Sequence, residues 1–386
     1  MNVLSTIGAL SVEQFMRRHW QREPLVVRGA IPGFASPIEP ARLFELAASD
    51  EVESRLVTAF EGRWAMRRGP LARLPARRRP GWTLLVQGVD LHDDAMHALM
   101  QRFRFVPDAR LDDLMVSFAT DGGGVGPHVD AYDVFLLQAR GTRRWRVTPP
   151  GDVTLVEGAP LKLLADFEPT AEWVLEPGDM LYLPPGWGHD GTAVGECMTF
   201  SIGFRAPSRL EFLSAFLAAA GDAPGGRDPR FGDRARAPTR HPGGLPDDLA
   251  GTLRAWATDW RASAAEVERF VGCYLTEPKP TVWFDPPAPR MTAARFGALA
   301  GRGGLRLDRR TRMAWRGTVV FVNGEALDAP ATARRWLRAL ADRRALTAAE
   351  CLRAFASAPL AAILHRWYEA GWLHAGAIPG AAGATE

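Results

Sequence analysis

Between Asp113 and Pro207 the chain is cut into strand-length pieces by turn formers, a texture that no helical bundle or doubly wound α/β fold accommodates. The pieces "DLMVSFAT", "YDVFLLQ", "TRRWRV", "EWVLEPGDMLYLP" and "CMTFSIGFRAP" are rich in Val, Leu, Phe, Tyr and Thr. "DGGGVGP", "ARG", "TPPGD", "EPGD" and "PPGWG" separate them, each supplying glycine or proline where the backbone must reverse. Many short strands at close spacing predict an antiparallel sandwich or jelly roll.

The flanks read differently. Residues 11–20 and 40–48 carry helical apolar spacing, and the serine of "SVEQF" is placed to cap the first of these. After the strands, "LSAFLAAAGD" is helical. "APGGRDPRFGDRARAPTRHPGGLPDD" is poor in apolar residues and reads as a linker or long loop, and "LAGTLRAWATDWRASAAEVERFVGCYLTE" returns to helical periodicity. The last hundred residues predict a compact α+β unit. A hairpin turns at Asn323-Gly324, and three helices follow around 331–343, 347–355 and 359–370. A length of 386 residues exceeds one ordinary core, so two or three domains are expected.

Several classes of function are disfavoured. No apolar run approaches the ~20 residues of a bilayer span, and "MNVLSTIGALSVEQF" lacks the basic and apolar regions of a signal peptide. Cys197, Cys273 and Cys351 are odd in number and far apart, which indicates neither a disulfide framework nor a CxxC metal site. A reducing, cytoplasmic setting is the simplest expectation. Net charge is +3. Lysine occurs only at Lys162 and Lys279, so arginine carries nearly all the positive charge, with a cluster from Arg67 to Arg79 in "RRGPLARLPARRRPGW". That cluster is either a solvated loop or a basic lip suited to phosphate-rich surroundings.

The chemistry is concentrated in "GPHVDAYDVFLLQARGTRRWRV". In a strand, residues i and i+2 share a face, so His128 and Asp130 can present an imidazole and a carboxylate to one point. Alone such a pair is weak evidence. Downstream, however, the tight turn Pro177-Gly178-Asp179 enters the strand "MLYLP", and "PPGWG" then delivers His189. Two histidines and one carboxylate on the rim of a jelly roll make the facial triad of non-haem iron oxygenases, which leaves coordination positions open. Arg143 shares a strand face with Trp145 and Val147, where a buried guanidinium requires an anion. A dicarboxylate cosubstrate supplies one in bidentate geometry, and snorkelling to the surface is the alternative. In "MTFSIGF", Thr199, Ser201 and Gly203 share a face that either lines a ligand pocket or meets solvent.

The stretches "DDLMVSFATDGGGVGPHVDAYDVFLLQARGTRRWRV" and "LEPGDMLYLPPGWGHDGTAVGECMTFSIGFRAP" resemble the JmjC-type, cupin-like ribosomal oxygenases, as do "EPLVVRGAIPGF" and "GWTLLVQGVDLH". Within that family the chain is most similar to bacterial enzymes that hydroxylate an arginine of a large-subunit ribosomal protein. The resemblance covers nearly the whole chain and implies a mainly β jelly roll (a double-stranded β-helix) over 1–208. It implies a helical dimerisation region with linker over 209–278 and a winged-helix-like α+β domain over 279–386, in a homodimer. It implies Fe(II) on His128, Asp130 and His189, with dioxygen and 2-oxoglutarate as cosubstrates. Arg143 would hold the distal carboxylate of 2-oxoglutarate, and Thr199 and Ser201 would line its pocket. Asp113 and Tyr132 would receive the substrate arginine. The rival readings are the same chemistry on a histidine, another protein or a small molecule, and a non-enzymatic nucleic-acid binder. The stretch "TAAECLRAFASA" in the C-terminal domain is not unusually basic, which disfavours the second rival.

Overall fold

Antiparallel pairing organises the first half of the chain. In the computed structural model, which describes residues 3–221, 247–259 and 262–376, the chain opens with a small ribbon. It is made of β1 (Thr6–Ile7) and β2 (Leu10–Ser11) and is followed by helix α1 (Val12–Arg18), β3 (Leu25–Val27) and helix α2 (Pro40–Ala48). Next come β4 (Ser54–Phe60), β5 (Arg63–Arg68), β6 (Trp82–Val86) and helix α3 (Asp94–Met100). Then follow β7 (Leu111–Ala119), β8 (His128–Val129), β9 (Val134–Thr148), β10 (Ala171–Leu175), β11 (Met180–Leu183) and β12 (Gly188–Phe204). Ser11 caps α1 as the sequence predicts, in a reciprocal box with Gln14.

Strands β3 to β12 make one ten-stranded antiparallel sheet in the order β3-β11-β9-β12-β7-β6-β4-β5, with β10 on β9 and β8 on β12. The long strands β9 and β12 pair along most of their length, with an irregularity between Val194 and Met198. One half of β9 lies beside β11 and the other beside β10, and this exchange of neighbours closes the sheet into a jelly roll. Gly141 sits opposite the irregularity at φ +57°, and a Cβ there would meet the Glu196 carbonyl oxygen at 2.0 Å. Only glycine fits this corner.

Alternation sorts the two faces of the sheet. Phe118, Phe135, Phe200 and Phe204 pack with Phe15 and Trp82 in the main core. Val134, Leu136, Trp145, Val147, Leu181 and Leu183 form a second apolar layer on the other face. There Thr199 and Ser201 are buried, so the small polar face of "MTFSIGF" looks into the protein and not to solvent.

Helices α4 (Arg209–Gly221), α5 (Asp247–Asp259) and α6 (Ala264–Thr276) follow. The linker-like stretch lies largely outside the described residues. The helical stretch predicted from Leu249 onward is two helices, because Ser263 starts α6 with a capping box to Glu266. The C-terminal part holds α7 (Ala293–Gly303), β13 (Leu305–Leu307), β14 (Met313–Arg316), β15 (Val319–Val322) and β16 (Glu325–Asp328). It ends with α8 (Arg334–Arg343), β17 (Ala345–Leu346), α9 (Ala348–Ala354), α10 (Ala358–Glu369) and β18 (Leu373–Ala375). Asn323 and Gly324 turn β15 into β16 at positive φ, as expected of a type I′ turn. This part has its own apolar core and is fastened to the sheet domain by arginines. Arg309 Nε donates to the Leu91 carbonyl at 2.6 Å, and Arg104 Nη1 to that of Asp342 at 2.7 Å.

Candidate active site

His128 and His189 are direct cross-strand partners on β8 and β12, with ring centroids 4.2 Å apart. Asp130 follows β8, and its Oδ2 lies 3.6 Å from His189 Nε2. One ligand atom from each of the three residues falls within 4.8 Å of the others. Each imidazole is oriented from behind. His128 Nδ1 meets the Gly126 carbonyl at 2.9 Å and His189 Nδ1 the Trp187 carbonyl at 3.0 Å. A carbonyl accepts only from Nδ1–H, so in the neutral imidazole Nε2 is the nitrogen left with a lone pair, the arrangement that metal-binding histidines adopt. Burial, and then the neighbouring His128, hold the His189 imidazole well below its ordinary pKa and therefore neutral. Gly126 is required here: its φ is +76°, and a Cβ would lie 2.6 Å from Leu163 Cδ2. The Gly186 N–H donates to the Asp130 carbonyl at 2.8 Å, so the rigid "PPGWG" turn also fixes the chain at Asp130.

The three side chains face a cavity of about 540 Å³ inside the jelly roll. Arg143 lines it as well and is only 4% exposed. Its Nη1 donates to Ser117 Oγ at 3.0 Å and to Thr199 Oγ1 at 3.3 Å. Thr199 Oγ1 in turn donates to Gln138 Oε1 at 3.0 Å. The guanidinium lies 5.4 Å from the Trp145 ring. Its Nε has no hydrogen-bond partner, and no carboxylate lies within 4.0 Å among the described residues. A buried cation whose Nη1 rests on two hydroxyls and which has no anion beside it fits a carboxylate arriving from the cavity. Of the two pocket residues the resemblance implies, Ser201 lines the cavity. Thr199 stands behind it and reaches the site only through Arg143.

Asp113 and Tyr132 line the same cavity. Asp113 is 7% exposed and follows the alternation of β7 with Met115 and Ser117. Burial pushes its carboxyl up, against the pull of Lys279. Tyr132 is partly exposed at the mouth, and its phenol is pushed up by burial and by the Asp130 and Asp113 carboxylates. Ser117, Gln138 and Trp145 were not singled out from the sequence as site residues. Ser117 lies four residues beyond Asp113 on the same strand face, and that spacing was the available signal. The Arg67–Arg79 cluster divides. Arg77 pairs with Glu196, neighbouring Arg68 lines the cavity, and Arg67, Arg73, Arg78 and Arg79 are exposed.

Comparison with known proteins bears on this geometry. The chain is 37% identical to the Escherichia coli ribosomal protein uL16 3-hydroxylase over 88% of its own length and 91% of that protein's. The chain belongs to the JmjC-type ribosomal oxygenases. Residues 98–212 match the JmjC domain family and residues 259–374 the ROXA-like winged helix. The crystal structure of E. coli ycfD superposes on this ribosomal oxygenase with a TM-score of 0.83 at 34% identity, covering 97% of the chain and 100% of that one. The same E. coli protein in complex with cobalt and 2-oxoglutarate superposes with a TM-score of 0.80 over 95% and 98% of the two chains. A probable ribosomal oxygenase from Haemophilus influenzae is 38% identical over about half of each chain. The jelly roll and the winged-helix C-terminal domain are thus the family's fold.

Proposed function

We propose that this chain is an Fe(II)- and 2-oxoglutarate-dependent oxygenase that hydroxylates an arginine side chain of a large-subunit ribosomal protein. The observation that carries the reading is the convergence on one cavity of the His128, Asp130 and His189 donors and the guanidinium of Arg143, which has no carboxylate partner among the described residues. The donor set fits iron: two imidazoles turned so that Nε2 is available and one carboxylate leave coordination positions open. Bound there, Fe(II) with 2-oxoglutarate and dioxygen supplies the oxidising power to place one oxygen atom in a C–H bond, releasing succinate and carbon dioxide.

The chain's own residues bind and orient. Arg143 receives the distal carboxylate of 2-oxoglutarate, and Ser117, Thr199 and Gln138 keep its fork aimed into the cavity. Ser201 adds a hydroxyl on the same wall, and Trp145 closes it with apolar surface that excludes water. Asp113 accepts the substrate guanidinium, and Tyr132 guards the mouth beside it. A carboxylate on that wall favours arginine over histidine as the substrate.

The division into a jelly roll (1–208), a helical region (209–278) and a C-terminal domain (279–386) belongs to the same reading. So does a homodimer through the helical region: α4 leaves Leu210, Leu213 and Leu217 exposed, an apolar surface suited to a second copy. A ribosomal protein as substrate is consistent with a cytoplasmic enzyme, and no described helix is long and apolar enough to cross a membrane. The test is Fe(II)-dependent succinate formation from 2-oxoglutarate, stimulated by arginine-bearing peptides from the host's ribosomal proteins. Wild type forms succinate and His128→Ala does not. Equal turnover by the two would refute the site.

A further inference from the structure

The sequence has only two lysines, and one of them is placed against the proposed substrate acid. Lys279 Nζ lies 3.3 Å from Asp113 Oδ2 and 3.2 Å from Asp112 Oδ1. It stands in the segment that follows α6 and leads to the C-terminal domain, far from Asp113 in sequence. The two oxygens of Asp113 are used differently. Oδ2 accepts the Gly88 N–H at 3.1 Å and faces Lys279. Oδ1 accepts no hydrogen bond among the described residues and would lie 3.8 Å from a Cβ on Gly203, which lines the cavity. One oxygen is pinned from behind and the other is presented.

The pinning has a further layer. Arg312, from the C-terminal part, donates to the Leu111 and Asp112 carbonyls at 3.2 and 2.7 Å, at the start of the strand that carries Asp113. A third acid, Asp90, is buried next to Asp113, and its carboxyl accepts the Leu114 N–H at 2.8 Å. Three carboxylates packed this closely need a cation to keep the one facing the cavity charged and fixed.

We propose that Lys279 is a positioning residue for substrate recognition, holding the Asp113 carboxylate ionised and turned so that Oδ1 faces the cavity and receives the substrate guanidinium. This inference rests on the arginine-hydroxylase reading and gives the segment after α6 a part in specificity. Lysine suits the position because a compact ammonium can bridge Asp112 and Asp113 at once, whereas the cavity-facing work falls to the carboxylate.

The test compares full-length wild type, Lys279→Met, Lys279→Gln and Lys279→Arg in steady-state hydroxylation of an arginine-bearing ribosomal-protein peptide. Removing the charge is expected to raise the peptide KM about tenfold or more, since losing a charged partner costs a buried site at least 1.4 kcal/mol. The kcat at saturating peptide and the KM for 2-oxoglutarate stay within about twofold of wild type by the same scale. Lys279→Arg restores most of the peptide KM. The pH profile is a second readout. The groups facing Asp113 are Asp90, Asp112 and Tyr132 on the acid side and Lys279 and Arg312 on the cationic side, with Arg205 paired to neighbouring Asp112. Without Lys279 the peptide KM of the Met and Gln variants should begin to worsen at a higher pH than that of wild type as pH falls. A peptide KM unchanged in both neutral variants would overturn the proposal while leaving the arginine reading intact. So would an Arg variant as damaged as Met with a pH-independent loss. Wild type that turns over 2-oxoglutarate and oxidises no arginine peptide would remove the reading and the inference with it. If Lys279→Met does not fold, Lys279→Gln, which keeps a hydrogen-bond donor, decides the matter.

Discussion

Arg143 offers the sharpest perturbation, because its substitution should move stability and affinity in opposite directions. Its guanidinium is buried with Nε unpaired and no carboxylate in reach, so the cosubstrate-free protein bears the desolvation of a cation that nothing neutralises. Arg143→Met keeps the length and removes the charge. Without 2-oxoglutarate the variant should be as stable as wild type, or more stable by about 1 kcal/mol. With 2-oxoglutarate the order reverses. In the proposed complex wild type would make two charge-assisted hydrogen bonds to the distal carboxylate, and their loss would cost about 3 kcal/mol. At 1.4 kcal/mol per tenfold this is roughly a hundredfold rise in the 2-oxoglutarate KM. Thermal unfolding with saturating 2-oxoglutarate and a redox-inert divalent metal gives the second readout. At a hundred times Kd the ligand stabilises wild type by about 2.7 kcal/mol, and at the same concentration it should stabilise the variant by well under 1 kcal/mol. A KM within threefold of wild type, or a marked loss of stability in the ligand-free variant, would refute the assignment and make Arg143 an ordinary structural residue.

Other perturbations follow from single positions. Gly141→Ala places a Cβ against the Glu196 carbonyl at positive φ, and denaturant unfolding should show a loss of about 2 kcal/mol or more. Asp90 is buried and pushed up to about 7, chiefly by burial and then by Asp113. Its folded pKa lies above its unfolded one, so its ionisation weakens the fold as pH rises from about 4 to beyond 7. Asp90→Asn should therefore gain on the order of 2 kcal/mol relative to wild type at pH 8 and nothing at pH 4, as read from paired denaturation curves. His97 is buried and pushed down to about 3 by burial and then by Arg344. It acts in the other sense: its contribution is whole above pH ~6.5 and is lost as pH falls toward 3, and His97→Gln should flatten that acid limb. Chelation of divalent metal should abolish most of the thermal shift given by 2-oxoglutarate, since His128, Asp130 and His189 alone offer no cation to its keto acid.

The parts of the site legible in the sequence are those that a period of two determines. His128 and Asp130 fall on one side of a strand, and the Pro177–Asp179 turn locates the strand before His189. Arg143 shares a face with Trp145 and Val147, and all three are buried. Periodicity does not say which face looks inward and leaves Thr199 and Ser201 ambiguous between pocket and solvent; the second apolar layer lies on their side. Nor does it report contacts across long separations. The Gln138–Thr199–Ser117 cradle of Arg143 joins three strands, and Lys279 reaches Asp113 from beyond α6. Helical periodicity after Leu249 does not mark the break between α5 and α6, because Ser263 is a single capping residue inside a helix-rich segment. The arginine cluster could not be apportioned, because its members differ only in what stands opposite them: Glu196 for Arg77, and solvent for Arg78 and Arg79.

Peptide mapping of the reaction product tests the central claim most directly. Arginine-bearing peptides from the host's large-subunit ribosomal proteins would be incubated with Fe(II), 2-oxoglutarate and either wild type or His128→Ala, then fragmented in the mass spectrometer. The account predicts a gain of one oxygen atom on a single arginine with wild type alone. Oxygen on a histidine, or 2-oxoglutarate consumed with no peptide oxidised, would contradict it.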